Sequence, residues 1–334
     1  MTGRPIGILG TGSEVPGTEL GNAELAARFG VTTDWIEHKT RIRTRRHAAD
    51  GQKPSDLALT AARRALEAAG LPADRVDFLI VTTTTGDSPM PPVSCRVQAA
   101  LGAHRAACFD LNIGCSGFVH GLAVARALLS ARPQGHALVI GADAWSRFTD
   151  PLDRSTAVLL ADAAGAAVLG TVQEPYGILD CDLIGHGDQA DLLVIEAGGS
   201  ALPASHESVD ARQHYLRMNG RGVSEFVLGQ VPPSVKELLG RTGVQPDRID
   251  HFVPHQANGV LLATLAQETG LHRAQVHTTL ERFGNSGAAS LPVTLDHAAR
   301  AGRLHTGDLV LLCGFGGGMA VGTSLVRWHA EGPS

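Results

Sequence analysis

The chain has 334 residues, of which 43% are hydrophobic and 18% charged, and its formal net charge at pH 7 is -5. This length favours two domains or two similar halves, and the net charge offers no basic field to attract nucleic acid. The five cysteines form no C-x-x-C pair, which argues against a zinc site or a disulfide framework and favours a reducing, cytoplasmic compartment. We expect no signal peptide and no membrane span, because no stretch reaches the roughly 20 apolar residues that a span needs.

The predicted elements alternate between helix and strand along the chain, which is typical of an α/β fold with mixed sheets. In the first half an amphipathic helix over 55–70 leads into the strand of AGLPADRVDFLIV at 69–81. In the second half, PPSVKELLGRTG at 232–243 predicts a helix that leads into TGVQPDRIDHFVP at 242–254. The two segments match, so the chain contains an internal repeat.

A second pair of segments supports this repeat. NIGCSG precedes a predicted helix and the apolar strand HALVIGAD, and FGNSGAAS precedes a predicted helix and DLVLLCGF, so that Cys115 aligns with Asn285. The repeat predicts two halves, over residues 1–175 and 176–334, with an active site between them.

Cys115 follows the apolar strand ACFDLNI and precedes a helix predicted to begin near Ser116. The positive end of the helix dipole favours a thiolate there, and Gly114 and Gly117 permit a tight turn and a close approach of substrate. The pattern indicates a nucleophile, although an isolated cysteine is more often a small core residue. We interpret the remaining cysteines as such core residues: Cys95, Cys108, Cys181 and Cys313.

Two further residues and a glycine-rich stretch in the second half have candidate roles. His255, at the end of the strand in HFVPHQAN, has the chemistry of a base or a hydrogen-bond donor. Asn285 lies in FGNSGAAS, where an Asx turn or a helix cap is the structural alternative. GFGGGMAVG at 314–322 lacks the Lys-Ser/Thr ending of a phosphate loop, so we expect it to supply backbone donors or close packing.

Cys115, HQAN, GNSGAAS and GFGGG, in this order, resemble the β-ketoacyl synthase III family, and the likeness runs from ILGTGSEVPG to GTSLVRW. The stretches IGADAWSR, HFVPHQANGV and LVLLCGFGGGMA are most similar to its actinobacterial branch, which includes acetoacetyl-CoA synthases. The resemblance implies a thiolase-like α/β fold, with two duplicated halves in a five-layered α-β-α-β-α arrangement.

The resemblance also implies the roles of individual residues. Cys115 attacks an acyl-CoA thioester and holds the acyl group, and the backbone N–H groups of Cys115 and Gly317 stabilise the oxyanion. His255 and Asn285 donate hydrogen bonds to the carbonyl of a malonyl thioester as carbon dioxide leaves. Phe315 matches the residue that assists departure of the carboxylate.

The implied ligands are coenzyme A (CoA) thioesters, which are substrates, and no cofactor is implied. Trp35 and Arg154 match residues that sandwich the CoA adenine. Gly220 and Arg221 lie at the pantetheine tunnel. Met90 matches a residue that closes the acyl pocket of the partner subunit in a homodimer.

The chain departs from the family pattern in three places. Lys39 replaces an arginine near the CoA entrance, so a compact ammonium charge stands in place of a planar guanidinium. Ala-Asp-Ala around Asp162 replaces Gly-Asp-Gly, and we expect this change to affect packing more than chemistry. Where members that use acyl carrier protein present cations, this chain has Glu225, Val260, Gln267 and Glu268. Such a surface disfavours an acidic carrier protein, so malonyl-CoA is the expected acceptor.

Three other functions are alternatives. A thiolase needs a second cysteine at the position of Gly314, and Cys313, one residue earlier on a strand, points to the opposite face. A related O- or N-acyltransferase typically replaces the asparagine by an acidic residue, so Asn285 disfavours but does not exclude that function. Intact Cys115, His255 and Asn285 argue against a non-catalytic subunit. The sequence leaves open the starter acyl group and the pathway: fatty acid, isoprenoid precursor or antibiotic.

Overall fold

The computed structural model describes residues 4–329. The strands are β1 (Ile6–Glu14), β2 (Thr18–Gly21), β3 (Thr44–His47), β4 (Phe78–Thr82), β5 (Ala107–Leu111), β6 (Ala137–Ala144), β7 (Asp162–Thr171), β8 (Gly177–Gly185), β9 (Leu193–Val194), β10 (Arg217–Met218), β11 (His251–Pro254), β12 (Gln275–Val276), β13 (Leu309–Gly316) and β14 (Ala320–Arg327). The α-helices are α1 (Asn22–Phe29), α2 (Thr33–Thr40), α3 (Pro54–Ala68), α4 (Val93–Leu101), α5 (Gly117–Ser130), α6 (Arg154–Ala157), α7 (His206–Asp210), α8 (Gly220–Thr242), α9 (Gly259–Glu268), α10 (Leu280–Phe283) and α11 (Ser290–Arg300).

Two five-stranded mixed sheets share one topology. The first has the order β1-β7-β6-β4-β5 and the second the order β8-β14-β13-β11-β12. In each sheet the two pairings among the first three strands are antiparallel, and the two pairings among the last three are parallel. This equivalence confirms the duplicated α/β fold that the repeat predicted.

The sheets and helices form five layers. The central layer consists of α5 and α11, which pack between the sheets, and α3 with α4 and α8 with α9 cover the two outer faces. Phe118 and Leu122 of α5 and Leu291 and Leu295 of α11 are buried in the apolar core between the sheets. A helix that packs against a sheet on each side needs apolar residues around most of its circumference. The first turns of α5 have such a composition.

Helix α8 begins earlier than the sequence predicted. It starts at Gly220, with the side chain of Asn219 as N-cap, and includes Pro232 and Pro233, where we expected the helix to begin. Proline lacks the N–H that an interior helical position donates. Burial of the apolar side chains of Phe226 and Val227 against the core stabilises the additional turns.

The fold brings together the two positions that the repeat aligned. Cys115 precedes α5 and Asn285 precedes α11, at the starts of the two central helices. The boundary between residues 175 and 176 falls between β7 and β8 and stays a prediction. Within residues 4–329, no helix is long and apolar enough to cross a membrane.

Candidate active site

Cys115, His255 and Asn285 line one cavity of about 370 Å³. Cys115 lies in a 3-10 turn, Gly114–Ser116, between β5 and α5. His255 follows β11, and Asn285 follows α10. The first half therefore contributes the candidate nucleophile, and the second half contributes both candidate donors.

Glycines allow the chain after β13 to pass close to Cys115. Gly316 has φ of 149°, and a Cβ there would lie 3.1 Å from Sγ of Cys115. Gly114 has φ of 55°, and a Cβ there would lie 2.8 Å from the carbonyl oxygen of Gly317. The glycine-rich stretch therefore provides the close packing that we expected as one of its two uses.

The Cys115 thiol is neutral in this structure. Burial, with a smaller contribution from the Asp143 charge, raises its pKa to about 12. Desolvation of the sulfur therefore opposes the effect of the helix start, which we expected to favour the thiolate. Hydrogen bonds from the backbone of Gly317 and Cys115 lower the same pKa. The two N–H groups predicted to stabilise an oxyanion therefore interact with the candidate nucleophile.

His255 is a buried, neutral imidazole. Burial lowers its pKa to about 3, and only 2% of its surface is exposed. Its Nδ1 lies 2.6 Å from Oγ of Ser290, and that hydroxyl oxygen accepts a hydrogen bond from the backbone N–H of Gln256. The ring packs edge-on against Phe315, with 5.3 Å between the ring centroids. These contacts hold the imidazole in one orientation beside the cavity.

The Asn285 amide is oriented by its own turn. Its Oδ1 accepts a hydrogen bond of 3.0 Å from the backbone N–H of Gly287. Because an N–H can only donate, the oxygen must lie on that side, and the Nδ2 donor lies on the other. Nδ2 donates a long hydrogen bond of 3.4 Å to the Ala257 carbonyl. The Asx turn considered as the structural alternative is present, and it leaves Asn285 suited to donate to a ligand.

A second, larger cavity of about 570 Å³ also contains Cys115, Asn285 and Gly317 in its wall. Cys115 therefore lies where two cavities meet. The rest of the wall of the larger one is mainly apolar and includes Trp145, Phe148, Leu159, Leu160, Leu193, Ile195, Leu216 and Met218. This composition suits an apolar group bound to the sulfur.

Trp35 and Arg154 lie together outside both cavities. The guanidinium carbon of Arg154 is 4.6 Å from the centroid of the Trp35 ring. The structure thus pairs the two residues predicted to enclose an adenine, but they stack on each other. Two van der Waals separations, about 7 Å in total, are needed for a base between them.

The remaining predicted contact residues are divided between the smaller cavity and the surface. Lys39 and Gly220 line the cavity. Arg221 instead pairs with Glu225 on the surface, with 2.8 Å between Nε and Oε1. Met90, in the loop between β4 and α4, is 83% exposed and lines neither cavity.

Cys313 lies apart from the two cavities. Its thiol is buried in the apolar core that includes β13, and burial raises its pKa. The thiolase alternative needs this sulfur beside Cys115, and the structure places it elsewhere.

Two polar residues that contact the site were not identified from the sequence. Ser290 is buried beside His255, and Asp143 is a fully buried acid in β6. An acid in the otherwise apolar strand ALVIGADA is unusual, because aspartate is rarely buried without partners. That signal could have identified Asp143. Ser290 carries only the ordinary signal of a helix start, which does not reveal the ring it contacts.

Comparison with known proteins identifies relatives over nearly the whole chain. Residues 109–187 match 3-oxoacyl-[acyl-carrier-protein (ACP)] synthase III, and residues 239–328 match the C-terminal part of the same family. An acetoacetyl CoA synthase, NphT7, from Streptomyces sp. (strain CL190) is 46% identical over 98% of this chain and 100% of the relative. A β-ketoacyl-[acyl-carrier-protein] synthase III from Caldanaerobacter subterraneus subsp. tengcongensis is 41% identical over 96% of this chain and 97% of that protein. The crystal structure of 3-oxoacyl-(acyl carrier protein) synthase III, FabH, from Pseudomonas aeruginosa PAO1 superposes with a TM-score of 0.89, at 39% identity, and covers 99% of this chain and 100% of that one.

Proposed function

The chain belongs to the 3-oxoacyl-[acyl-carrier-protein] synthase III family of condensing acyltransferases, and we propose that it joins an acyl-CoA starter to malonyl-CoA through an acyl thioester on Cys115. The observation that carries the proposal is the convergence of Cys115, His255 and Asn285 on one cavity. The 46% identical relative is named an acetoacetyl CoA synthase, which supports a CoA-bound product such as acetoacetyl-CoA.

In the loading step, Sγ of Cys115 attacks the carbonyl carbon of the acyl-CoA thioester. The bond from that carbon to the CoA sulfur breaks, and the thiol proton passes to the departing CoA thiolate. Backbone N–H groups of Cys115 and Gly317 stabilise the negative oxygen of the tetrahedral intermediate. Because the pKa of the resting thiol is about 12, proton removal must accompany the attack. The apolar cavity then holds the acyl chain.

In the condensation step, the bond from the malonyl carboxylate to its methylene carbon breaks and carbon dioxide leaves. The electron pair moves onto the thioester carbonyl oxygen, where His255 and Asn285 donate hydrogen bonds to the enolate. Neutral donors suit this oxygen, because a carboxylate would repel it. Phe315 gives the departing carboxylate an apolar neighbour, which favours its loss as a neutral molecule. The methylene carbon attacks the acyl carbonyl, the bond to Cys115 breaks, and the released thiolate takes up a proton from water to restore the thiol.

The choice of malonyl-CoA depends on the surface beside the smaller cavity. Val260 lines its wall, whereas Gln267 and Glu268 are exposed on α9 and Glu225 is exposed on α8. Arg221 pairs with Glu225, so this cation is partly neutralised. These side chains offer an acidic carrier protein no cluster of cations, which supports a CoA-bound acceptor.

The test compares kcat/KM for malonyl-CoA and malonyl carrier protein at the same low ionic strength. We expect a clear preference for malonyl-CoA. The double variant Glu225→Lys and Glu268→Lys should raise kcat/KM for the carrier protein and leave that for malonyl-CoA nearly unchanged. Glu67→Lys, on the outer helix α3 of the other half, is a control for a charge reversal away from this surface. A wild-type preference for the carrier protein would overturn the proposal.

A priming ketosynthase that uses malonyl carrier protein is the second candidate, because the 41% identical relative is named a β-ketoacyl-[acyl-carrier-protein] synthase III. The O- or N-acyltransferase alternative is less well supported, because Asn285 is oriented as a donor rather than replaced by an acid. Mass spectrometry of the intact protein with a panel of acyl-CoAs would identify the starter group that loads.

We propose a cytoplasmic homodimer, in which Met90 of each subunit helps to close the acyl cavity of its partner. An unbranched apolar side chain that is 83% exposed supports this role, because it gains free energy when a partner covers it. Light scattering should give the dimer mass, and Met90→Asp should weaken the dimer. A monomeric wild-type chain with full activity would contradict the proposed assembly.

A further inference from the structure

Asp143 is a fully buried carboxylate whose hydrogen-bond partners come from both halves of the chain. Its Oδ1 accepts from the side-chain hydroxyls of Thr83 and Thr85, at 3.1 and 2.8 Å, and from the backbone N–H of Thr84, at 3.0 Å. Its Oδ2 accepts from the backbone N–H of Ala288 at 2.8 Å. The threonines follow β4 in the first half, and Ala288 precedes α11 in the second.

An isolated charge in this position is costly unless donors satisfy it. No salt bridge is described for Asp143 within residues 4–329, and burial raises its pKa. Its hydrogen bonds from Ala288, Thr84, Thr85 and Thr83 lower that pKa and thus stabilise the anion. The carboxylate therefore depends on these donors, and each donor is fixed by it.

The donor in the second half belongs to the turn that carries the candidate catalytic side chains. Ala288 lies three residues after Asn285 and two before Ser290, the partner of His255. Gly287 packs directly on the carboxylate, since a Cβ there would lie 2.4 Å from Oδ2 of Asp143. Displacement of this turn would therefore affect both hydrogen-bond donors of the proposed condensation.

We propose that Asp143 is a positioning residue, which holds the turn 285–290 of the second half against the first half so that Asn285 and His255 face Cys115. The inference goes beyond the proposed function by assigning a role to a residue that lines neither cavity. It rests on the proposed function for its activity measurement.

Asp143 holds the turn 285–290 in place, which favours condensation, but its charge disfavours the thiolate form of Cys115. Its charge is the second contribution, after burial, to the raised pKa of the thiol. Removing the charge should therefore increase the thiolate fraction, while loosening the turn should slow carbon–carbon bond formation. A general loosening would also hydrate the sulfur and accelerate alkylation, because burial is the first cause of the raised pKa, so a second buried acid is needed as the control for lost packing.

The experiment uses Asp143→Asn in the full chain, with Asp162→Asn as the matched control. Asp162 is also fully buried and accepts hydrogen bonds from Ser146 and Ala48, but it is not among the causes of the Cys115 pKa shift. We measure the rate of Cys115 alkylation by iodoacetamide between pH 7 and 10, followed by intact mass. We also measure acyl loading and condensation in single turnovers.

We expect Asp143→Asn to accelerate alkylation at fixed pH, by up to about tenfold for a pKa decrease of one unit. Loading should persist, and condensation should fall by about tenfold or more. Asp162→Asn should leave the pH profile of alkylation unchanged. Alkylation that is unchanged or slower in Asp143→Asn, or condensation at the wild-type rate, would overturn the inference.

Two further measurements keep the inference decidable. If Asp143→Asn does not fold, Thr83→Val removes one donor and keeps the charge, so condensation should fall severalfold without faster alkylation. Wild-type condensation in Thr83→Val would then refute the role.

If the wild-type chain condenses no malonyl thioester, the proposed function fails, and hydrogen exchange decides the inference. The amides of 285–290 should exchange faster in Asp143→Asn than in Asp162→Asn, and equal rates would refute it.

Discussion

Arg154 stacks on Trp35, with the guanidinium carbon 4.6 Å from the ring centroid, and so covers the indole face that a nucleotide base would occupy. A contact of this kind at an exposed site contributes only about 0.5–1 kcal/mol. A base–aromatic stack contributes about 1–3 kcal/mol. We therefore expect the adenine of a bound CoA thioester to displace Arg154 from the ring and to lie between the two side chains.

Replacing Trp35 by alanine should raise KM for acyl-CoA by roughly five- to 150-fold, the range that corresponds to one lost stack. Arg154→Ala should raise KM less. It removes one side of the adenine sandwich, but it also removes the stacking of Arg154 on Trp35 that competes with adenine binding. An acyl-pantetheine substrate, which lacks adenine, is the control and should respond to neither variant. Equal losses with both substrates would place the adenine elsewhere.

Cys115→Ala should abolish acyl-enzyme formation and condensation, because within residues 4–329 no other cysteine lines either cavity. Met218 also lines both, but its thioether has no thiol to form a thioester. Circular dichroism and the melting temperature should remain close to those of the wild type, since the substitution removes one sulfur atom from a side chain that already borders two cavities. Peptide mapping after incubation with acyl-CoA provides the check. An acyl group on a different cysteine would refute the assignment.

Asn285→Asp should separate loading from condensation. Oδ1 can keep its hydrogen bond from Gly287, but a carboxylate oxygen replaces the Nδ2 donor at the position where enolate charge develops. Loss of one such donor costs about 10²–10³ in rate, and the added charge should increase the loss. Acyl loading, measured by mass, should persist. Asn285→Ala removes the donor without adding charge and should be less impaired than the aspartate variant.

Buried histidines should make the protein less stable in acid. Burial, with smaller contributions from His251 and Arg303, lowers the pKa of His277 to about 4, against an ordinary value near 6.5. As the pH falls, the unfolded chain binds this proton first. The corresponding stability is therefore present above about pH 6.5 and is lost progressively down to about pH 4.

His277→Gln should reduce the difference in unfolding free energy between pH 7.5 and pH 5 by about 2 kcal/mol. Urea titrations at the two pH values measure this difference. His305→Gln, at an exposed position on the same side of the second half, is the control and should change the difference little. A pH dependence that is identical in His277→Gln and the wild type would contradict the shifted pKa.

The sequence was sufficient to predict those features that depend on local pattern. Repeated helix and strand segments predicted two equivalent halves, and the glycine-rich stretch 314–322 was expected to supply backbone donors or close packing, of which Gly316 provides the packing against Cys115. The predicted start of α8 was wrong, because two consecutive prolines are a strong local signal for the beginning of a helix. The buried contacts of Phe226 show why the helix begins earlier and continues through them.

The properties that depend on long-range contacts could not be obtained this way. The pKa of Cys115 depends on burial and on Asp143, which is brought near only by the packing of β6. The Asx turn at Asn285 suggested a purely structural residue, and only the contact with Gly287 shows which side of the amide is free to donate.

The alignment of Cys115 with Asn285, at the starts of α5 and α11, also bears on the origin of the chain. Two identical ancestral copies packed in this way would have carried the same residue at both positions, and their assembly would have had two equivalent reaction centres. Duplication within one polypeptide allowed each copy to mutate without its counterpart. One copy now supplies the sulfur and the other the imidazole and the amide, so neither half alone contains a complete centre.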